Sequence, residues 1–368
     1  MEYQALYRKY RPKNFSDVVG QEHITITLSN QVMSGKISHA YLFTGSRGTG
    51  KTSTAKIFAK AINCEHNKKG SPCLECSTCK ALNNAGNIDI VEIDAASNNR
   101  VDEIREIREN VKFMPVSSKY KVYIIDEVHM LTDSAFNALL KTLEEPPKHI
   151  VFILATTEVH KIPATILSRC LRFDFKLVSV SNLIELLRNV FKQENITCEE
   201  EALKAIAVAG KGGVRDTLSI ADCIVAYTNG HITLKNVMEV LGLNDYKTII
   251  ELTNKMVEKN LGACFEIVNK VMESGKNMSV FAKDIGAHFR DLLVIQSVKN
   301  ANEVLSLPKE MFSVYKEQAD RIQSRWLIEN LKIFSGIETE LRYSLSPKIL
   351  LETALIKALG DFSVKKND

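Results

Sequence analysis

The sequence predicts an α/β domain built on a parallel sheet, followed by a small helical domain and then a longer all-helical domain. Three observations predict this fold class. Short apolar runs alternate with helical patterns between about residues 38 and 176, a glycine-rich loop joins one run to a helix, and after Lys176 only helical periodicity remains. At 368 residues the chain exceeds one ordinary hydrophobic core, which favours two or three domains.

The expected strands are short apolar runs of the kind found in a parallel sheet that helices cover on both faces. A helix should follow the third strand, because apolar side chains share one helical face over residues 133–144 and Pro146 and Pro147 stop the pattern. The strands are expected at residues 41–43, 88–93, 122–125 and 150–155.

A phosphate-binding loop follows the first of these strands. Residues 45–52 read Gly-Ser-Arg-Gly-Thr-Gly-Lys-Thr, a P-loop pattern that lies between a strand and a helix as a P-loop must. The glycines let backbone N–H groups surround phosphates, Lys51 supplies a cation, and the Thr52 hydroxyl can ligate Mg²⁺. A fortuitous glycine-rich turn is the alternative. The residues expected to hold the nucleotide are Gly45, Ser46, Arg47, Gly48, Thr49, Gly50, Lys51, Thr52 and Ser53.

Two acidic residues follow the strand at 122–125. Asp126 and Glu127 complete a Walker B pattern, in which the aspartate holds Mg²⁺ and the glutamate activates the water that attacks the γ-phosphate. Two solvated acids at a strand end are the alternative, and the preceding P-loop disfavours it. The two motifs together predict hydrolysis of a nucleoside triphosphate, with Lys51 and Glu127 as catalytic residues and Thr52 and Asp126 as magnesium ligands.

Four of the eight cysteines cluster within residues 64–79 and predict a metal site. The spacing Cys-x8-Cys-x2-Cys-x2-Cys can close a tetrahedron of thiolates around Zn²⁺, which would leave no open position and make the site structural. His66 could replace one cysteine. Disulfides are the alternative, although a chain without an export signal sits among reduced thiols. The expected ligands are Cys64, Cys73, Cys76 and Cys79, and Cys170, Cys198, Cys223 and Cys264 are expected in the core.

Composition and charge limit which other functions are possible. Apolar residues make up 45% and charged residues 25%, and the N-terminus lacks the basic and apolar segments of a secretion signal. No apolar run approaches the roughly 18 residues that a membrane span needs, so we expect no membrane partner and a cytoplasmic location. The net charge of +4 is small for an autonomous nucleic-acid binder, so any DNA contact should be local or shared among subunits.

The second half of the chain carries helical patterns and no catalytic signature. Residues 179–242 form a small helical unit around Gly212 and Gly213, and helices then run nearly unbroken to Gly360. Apolar side chains recur at helical spacing at Phe281 and Ile285 and again at Phe289 and Leu292. These stripes fit an ordinary core or a surface that holds subunits together, and the pattern does not separate the two.

Several motifs together resemble one family, the bacterial DNA polymerase III subunit gamma/tau, within the clamp-loader branch of the AAA+ ATPases. The resemblance is dense over residues 3 to about 220 and diffuse afterwards. The motifs that carry it are the opening segment at 7–21, the P-loop, the cysteine cluster, Asp126-Glu127, Thr156-Thr157 and Ser168-Arg169-Cys170.

The resemblance implies three domains and further site residues. The domains would be an AAA+ ATPase domain at 1–178 with a zinc module at 64–79, a helical lid at 179–242 and a helical oligomerisation domain, or collar, at 243–368. Arg11, Val18 and Val19 would pack against adenine and ribose. Thr157 falls at the sensor 1 position and Arg215 at sensor 2, while Arg169 would be an arginine finger that reaches the ATP of a neighbouring subunit.

The resemblance also implies a function. The chain would be the ATP-hydrolysing motor of a clamp loader, with ATP, Mg²⁺ and Zn²⁺ bound and no polymerase site of its own. Its partners would be delta, delta prime and further gamma/tau subunits in a hetero-oligomeric ring, a sliding clamp and primer–template DNA. The C-terminal domains of tau-like chains are expected to be missing from this sequence.

Three other functions stay open from the sequence. A non-hydrolysing structural subunit of the same loader would lose the P-loop. A different AAA+ DNA-remodelling ATPase, such as a branch-migration helicase, would lack the cysteine insertion. A non-enzymatic zinc module would bind nucleic acid without regard to ATP.

Overall fold

The computed structural model describes residues 4–82, 87–97, 101–228, 230–241, 245–305, 307 and 309–360. The chain divides into two compact units, Met1–Ile232 and Thr233–Asp368. The expected boundary between residues 178 and 179 falls inside the first unit, and the expected boundary at 242 lies beyond the observed division. The three-domain organisation therefore stays a prediction.

The first unit contains a five-stranded parallel sheet in the order β2-β3-β4-β1-β5. Since all pairings are parallel, the carboxyl ends of the strands lie at one edge of the sheet, where ligands of open α/β sheets bind. The strands are β1 Ala40–Gly45, β2 Ile90–Asp94, β3 Lys121–Asp126, β4 Ile150–Thr156 and β5 Leu171–Phe175.

Helices cover both faces of this sheet and extend the unit beyond it. Successive side chains of a strand point to opposite faces, so Tyr41 and Phe43 pack into one core while Leu42 packs into the other. The helices are α1 Leu6–Lys9, α2 Glu22–Ser34, α3 Lys51–Asn63, α4 Ser77–Ala81, α5 Val101–Asn110, α6 Asp133–Glu144, α7 Ala164–Leu167, α8 Val180–Gln193, α9 Glu200–Ala209 and α10 Val214–Tyr227.

The four expected strands are confirmed with shifts of one or two residues at their ends, and the expected helix at 133–144 has the observed bounds of α6. The strand β5 was not predicted from the sequence; it is an edge strand that reads Leu-Arg-Phe-Asp-Phe. Its Phe173 and Phe175 are buried while Arg172 and Asp174 face solvent. This alternation is the signature of a half-buried strand, and it differs from the continuous apolar runs of the three inner strands β1, β3 and β4.

Two further details of the first unit differ from expectation. A short parallel pair of strands, β6 Thr197–Cys198 and β7 His231–Ile232, joins the helical part that was expected to be all helix. The expectation that the four scattered cysteines are core residues is wrong for Cys223, which is exposed, because it lies on the outer side of α10. Cys264 is buried, whereas Cys170 and Cys198 are half-buried.

The described part of the second unit is helical, as the sequence predicted. The stripe that includes Phe281 and Phe289 on α14 is fully buried, and the Phe289 ring packs edge-on against Trp326 and Phe334 at 5.5 and 5.7 Å. The helices are α11 Leu234–Val240, α12 Asp245–Val257, α13 Leu261–Glu273, α14 Met278–Ser297, α15 Ala301–Leu305, α16 Lys309–Arg321, α17 Ser324–Tyr343 and α18 Pro347–Leu359. Within the described residues of the two units, no helix is long and apolar enough to span a bilayer.

Candidate nucleotide site and metal centre

The glycine-rich loop lies where β1 ends and α3 begins, at the carboxyl edge of the sheet. Gly45, the last residue of β1, has a φ of 141°, and a Cβ there would lie 2.4 Å from the carbonyl oxygen of Phe175. Only glycine fits this close approach of two strands. Gly50, with a φ of 102°, caps α3, so the loop delivers Lys51 to the first position of the helix.

Lys51 is held against its own loop. The side chain is buried, and its Nζ donates to the carbonyl oxygens of Gly45 at 2.8 Å and Ser46 at 2.9 Å. Burial lowers the pKa of Lys51, and the nearby Glu127 and Asp126 carboxylates act against that shift. A buried ammonium that only carbonyl dipoles satisfy is an electrostatic receptor for an anion.

Thr52 and Asp126 meet across the sheet edge. The Thr52 hydroxyl donates to Asp126 Oδ2 at 2.6 Å, which joins the start of α3 to the end of β3. The predicted pair of magnesium ligands is therefore assembled from residues that are far apart in sequence. A hydroxyl and a carboxylate are oxygen donors of the kind that Mg²⁺ takes, so the residues fit this ion.

Glu127 is fixed by residues at the end of β4. Its backbone is left-handed, with a φ of 47°, and its Oε2 accepts from the Thr157 hydroxyl at 2.9 Å and the Thr157 N–H at 3.2 Å. Because β4 is the neighbour of β3 in the sheet, the predicted sensor residue and the predicted water-activating residue touch. His129 was not predicted from the sequence as a site residue, although it lies beside Glu127 within the same strand-end motif.

A cavity of about 830 Å³ opens in front of these residues. Most of the predicted nucleotide-binding residues line it, including Arg11, Val18, Val19, Asp126, Arg215 and the loop residues from Arg47 to Ser53. The described lining does not include Gly45, Ser46 or Thr157. These residues instead form hydrogen bonds with the lining residues Lys51 and Glu127. No role was predicted from the sequence for the lining residues Tyr7, Tyr10, Leu186 and Leu218.

The helical part of the first unit closes the cavity from one side. The Arg215 guanidinium lies 5.2 Å from the centroid of the Tyr7 ring, and the Arg215 N–H donates to the Gly48 carbonyl at 3.4 Å. On the other wall, Arg11 Nε donates to Ser53 Oγ at 3.1 Å. Two arginines from different parts of the chain therefore face the same cavity, which adds to its attraction for polyanions.

Arg169 lies outside this arrangement. It does not line the described part of the cavity, and its Nη2 pairs with Glu144 Oε1 at 2.8 Å while Nη1 donates to the Thr165 carbonyl at 2.7 Å. Its side chain is 33% exposed. The structure thus does not bring Arg169 to the described nucleotide site of its own chain, and its role in another copy stays a prediction.

The four cysteines of the expected zinc site lie together. Their Sγ atoms are all within 4.8 Å of one another, and those of Cys73 and Cys79 are 4.0 Å apart. Four thiolates about 2.3 Å from a tetrahedral Zn²⁺ are separated by about 3.8 Å, so the cluster needs little adjustment to hold the ion. His66 is exposed and does not belong to the cluster, which makes the four-cysteine set the better choice.

Backbone groups support this cluster. The N–H groups of Cys73, Cys76 and Cys79 point at the sulfurs of Cys64, Cys73 and Cys76 at 3.3 to 3.4 Å. N–H donors from Glu75 and Cys76 lower the pKa of the Cys73 thiol to about 6, whereas burial raises the pKa of Cys79. Gly70 has a φ of 81° and packs on Ser29, where a Cβ would lie 2.5 Å from the carbonyl oxygen.

Three protein families match successive parts of the chain. The family described as "DNA polymerase III, delta subunit" matches residues 20–179. The family described as "DNA polymerase III clamp loader subunit, ATPase lid domain" matches residues 183–230. The family described as "DNA polymerase III subunits gamma and tau domain III" matches residues 232–368.

Curated relatives match over nearly the whole chain. DNA polymerase III subunit gamma of Buchnera aphidicola is 37% identical over 370 residues, which cover 98% of this chain and 99% of that protein. DNA polymerase III subunit tau of Bacillus subtilis is 46% identical over 357 residues, which cover 97% of this chain and 63% of that protein. This chain thus spans less than two thirds of the B. subtilis relative.

Similarity to solved structures is lower. The Thermotoga maritima RuvB Holliday junction branch migration motor has a TM-score of 0.49 and 18% identity, over 68% of this chain and 80% of that one. The Bacillus subtilis DNA clamp loader delta protein has a TM-score of 0.39 and 15% identity, over 90% of this chain and 98% of that one.

Proposed function

The chain belongs to the DNA polymerase III gamma/tau family, and from this membership we propose that it is the ATP-hydrolysing subunit of a bacterial replicative clamp loader. Its first unit is an AAA+ ATPase domain with a helical lid, and its second unit is domain III of the family. The observation that carries the proposal is the linked set of Lys51, Thr52, Asp126 and Glu127 at one edge of the sheet.

ATP would enter through the cavity and exchange partners with the loop. The β- and γ-phosphates take the place of the Gly45 and Ser46 carbonyls as partners of Lys51, since a phosphate oxygen is a far stronger acceptor for an ammonium group. The helix N-terminus at Lys51 adds the favourable end of the α3 dipole. Val18 and Val19 offer an apolar wall for adenine, and Arg215 offers a cation from the lid.

Hydrolysis would depend on the carboxylates at the end of β3. Thr52 and Asp126 would hold Mg²⁺, which supplies charge neutralisation for the phosphates when bound. Glu127 faces the cavity and orients the attacking water while it takes the water's proton. Thr157 donates two hydrogen bonds to Glu127. Through them Thr157 would couple the position of Glu127 to that of the γ-phosphate.

Arg169 would complete the site of a neighbouring subunit. Its guanidinium is partly exposed and its present partner, Glu144, is an exchangeable surface carboxylate. An arginine supplied from outside stabilises the charge that develops during phosphoryl transfer by about 10³- to 10⁵-fold in rate. Turnover would therefore depend on assembly with delta, delta prime and further gamma/tau subunits in a ring.

The substrates of the assembly would be a sliding clamp and primer–template DNA. ATP-bound subunits would hold the clamp open and grip DNA through its phosphates, without regard to sequence, and hydrolysis would release both. Such a protein would work in the cytoplasm. No polymerising chemistry is proposed for this chain.

The cysteine cluster would hold Zn²⁺ as a structural ion. Cys64, Cys73, Cys76 and Cys79 supply four sulfur ligands, which is a closed set, and zinc bound in this way stabilises a local fold. The cluster lies directly after α3, so it would fix the segment that leaves the phosphate-binding helix.

The proposal is tested by ATP turnover in a reconstituted loader. Turnover is measured for the chain alone, with the clamp, and with the clamp and primed DNA, and we expect a stepwise increase. The variant Glu127→Gln should bind ATP but turn it over at least about 100-fold more slowly. Turnover that ignores clamp and DNA, or that survives Glu127→Gln, would contradict the proposal and favour a structural subunit or another AAA+ ATPase.

A further inference from the structure

His129 is a nearly buried histidine in direct contact with Glu127. Its side chain is 6% exposed, and its Nδ1 lies 3.3 Å from Glu127 Oε2 and 3.0 Å from Thr156 Oγ1. Its Nε2 lies 3.3 Å from Glu158 Oε1. The imidazole ring therefore stands between a carboxylate that faces the nucleotide cavity and a second carboxylate that is partly exposed.

The contacts of Glu127 are one-sided. Its Oε2 accepts hydrogen bonds from the Thr157 hydroxyl and the Thr157 N–H, and His129 Nδ1 lies 3.3 Å from the same oxygen. Its Oε1 has no hydrogen-bond partner within the described chain, and the side chain lines the cavity. A carboxylate that is anchored through one oxygen presents the other in a fixed direction, which a residue that orients a water molecule requires.

The partners of the ring indicate which nitrogen carries the proton of neutral His129. An ionised carboxylate only accepts hydrogen bonds, so a nitrogen without a proton would face it unfavourably. Glu158 already has Lys161 Nζ at 2.9 Å from its Oε2. Glu127 has no lysine or arginine at ion-pair distance in the described part of the chain. The ring N–H is therefore drawn to Nδ1, where it lies between Glu127 Oε2 at 3.3 Å and the Thr156 hydroxyl oxygen at 3.0 Å, which also accepts from the Glu158 N–H. A doubly protonated ring keeps the same contacts.

We propose that His129 is a positioning residue for Glu127, whose Nδ1–H completes the anchoring of Oε2 so that Oε1 points at the attacking water. This inference rests on the proposed role of Glu127 in ATP hydrolysis. His129 touches neither the nucleotide cavity nor the loop residues, so its loss changes the rate of the chemical step and leaves ATP binding as it is.

Two substitutions separate the two nitrogens of the ring. In His129→Asn the amide nitrogen stands near the position of Nδ1, so it can still donate to Glu127. In His129→Gln the amide nitrogen stands near the position of Nε2, so it reaches Glu158 and leaves Glu127 without that donor. The matched control is His160→Gln, because His160 contacts Glu158 from the solvent side at 3.6 Å and is 73% exposed.

The experiment measures kcat and KM for ATP, ATP affinity and thermal midpoint in the reconstituted loader with clamp and primed DNA. We expect His129→Gln to lower kcat by about 10- to 100-fold with KM and ATP affinity unchanged. His129→Asn should recover kcat to within about threefold of the unmodified chain, and His160→Gln should match it. Equal kcat for His129→Gln and the unmodified chain, or equal losses in the Asn and Gln variants, would overturn the proposal.

A second measurement does not depend on the His129 variants. Histidine-ring nitrogen NMR of the unmodified chain reports the tautomer directly, and the His129 signal is identified as the one that moves in Glu127→Gln. We expect a protonated Nδ1, and an unprotonated Nδ1 would overturn the proposal. If Glu127→Gln itself retains full turnover, the proposed function of Glu127 fails, and that result is distinct from a failure of His129 alone.

Discussion

Two polar networks, one in each unit of the chain, lie in opposite surroundings. The network of Lys51, Asp126 and Glu127 combines charges of both signs and faces a cavity of about 830 Å³. In the second unit, His288 Nε2 donates to Gln318 Oε1 at 2.7 Å, and Gln318 Nε2 donates to Asn254 Oδ1 at 2.6 Å and the Ile250 carbonyl at 3.0 Å.

The difference lies in charge and access. All three side chains of the second network can be neutral, His288 and Gln318 are buried, and the Tyr315 ring packs edge-on to His288 at 4.4 Å. A closed neutral network specifies how helices pack, whereas a charged network at a cavity can exchange its internal partners for a ligand. Buried polar side chains alone therefore do not identify a functional site.

Lys51→Ala removes the cation of the network that faces the cavity, which we call the open network. This substitution is expected to have the largest effect. Because the loop then has no ammonium group for the β- and γ-phosphates, ATP binding should fall by at least about 100-fold and turnover should vanish. A direct titration with ATP checks this. The control is Lys348→Ala, since Lys348 pairs with Asn269 and Glu352 within the second unit, which contributes no residue to the proposed nucleotide site. ATP affinity retained in Lys51→Ala would break the comparison.

Arg169→Ala tests whether the open network is completed from outside its own chain. ATP affinity should stay within about twofold, whereas turnover stimulated by clamp and primed DNA should fall by about 10³-fold. The matched variant Arg172→Ala removes an exposed arginine that pairs with Asp174 on the edge strand and should leave turnover intact. Equal stimulated turnover in the two variants would show that the cavity needs no arginine from a neighbour.

The cysteine cluster adds a third case to the comparison, because its four thiolates need a bound metal ion to be stabilised. One zinc should copurify per chain, and Cys76→Ser should lose the metal and lower the thermal midpoint by roughly 5 °C, since bound zinc adds to folding free energy. Elemental analysis and thermal unfolding check this, with Cys223→Ser as the exposed control. Full stability with no metal in freshly reduced protein would contradict a structural zinc site.

The network around His288 should make the free energy of unfolding depend on pH. At neutral pH this is the smallest of the expected effects. Burial lowers the pKa of His288 to about 4, against an ordinary value near 6.5. Below pH 6.5 His288 becomes protonated in the unfolded chain but stays neutral in the folded chain. The contribution of His288 to the free energy of unfolding is therefore complete above pH 6.5. It is lost as pH falls toward 4, by about 1.4 kcal/mol per pH unit.

The variant His288→Gln isolates that pH effect, because the amide nitrogen keeps the donor to Gln318 without titrating. The slope of unfolding free energy between pH 6.5 and 4 should be smaller in the variant than in the unmodified chain, while ATP turnover at pH 7 is the same. Burial raises the pKa of Asp291 nearby, which acts in the opposite direction, and the difference between the two chains cancels it. Parallel pH curves would contradict the assignment.

The sequence predicted the parts of the site that are written in contiguous motifs. Residues 45–52 and the pair Asp126-Glu127 have fixed spacing because a single turn at a strand end must place them, and the cysteine spacing follows from the reach of one metal ion. The three inner strands β1, β3 and β4 were also predictable from the sequence, since burial on both faces requires continuous apolar runs. The edge strand β5 was missed because its alternating pattern belongs to a strand with one exposed face.

The sequence by itself therefore determined the chemistry of the chain: a phosphate-binding loop, two acidic side chains at a strand end and four thiols at metal spacing. Only the tertiary structure decided which groups meet. The order of β1, β3 and β4 in the sheet brings Thr52 to Asp126 and Thr157 to Glu127. The same order places His129 between two carboxylates. Strand order is set by packing across the whole domain, so no local spacing encodes it.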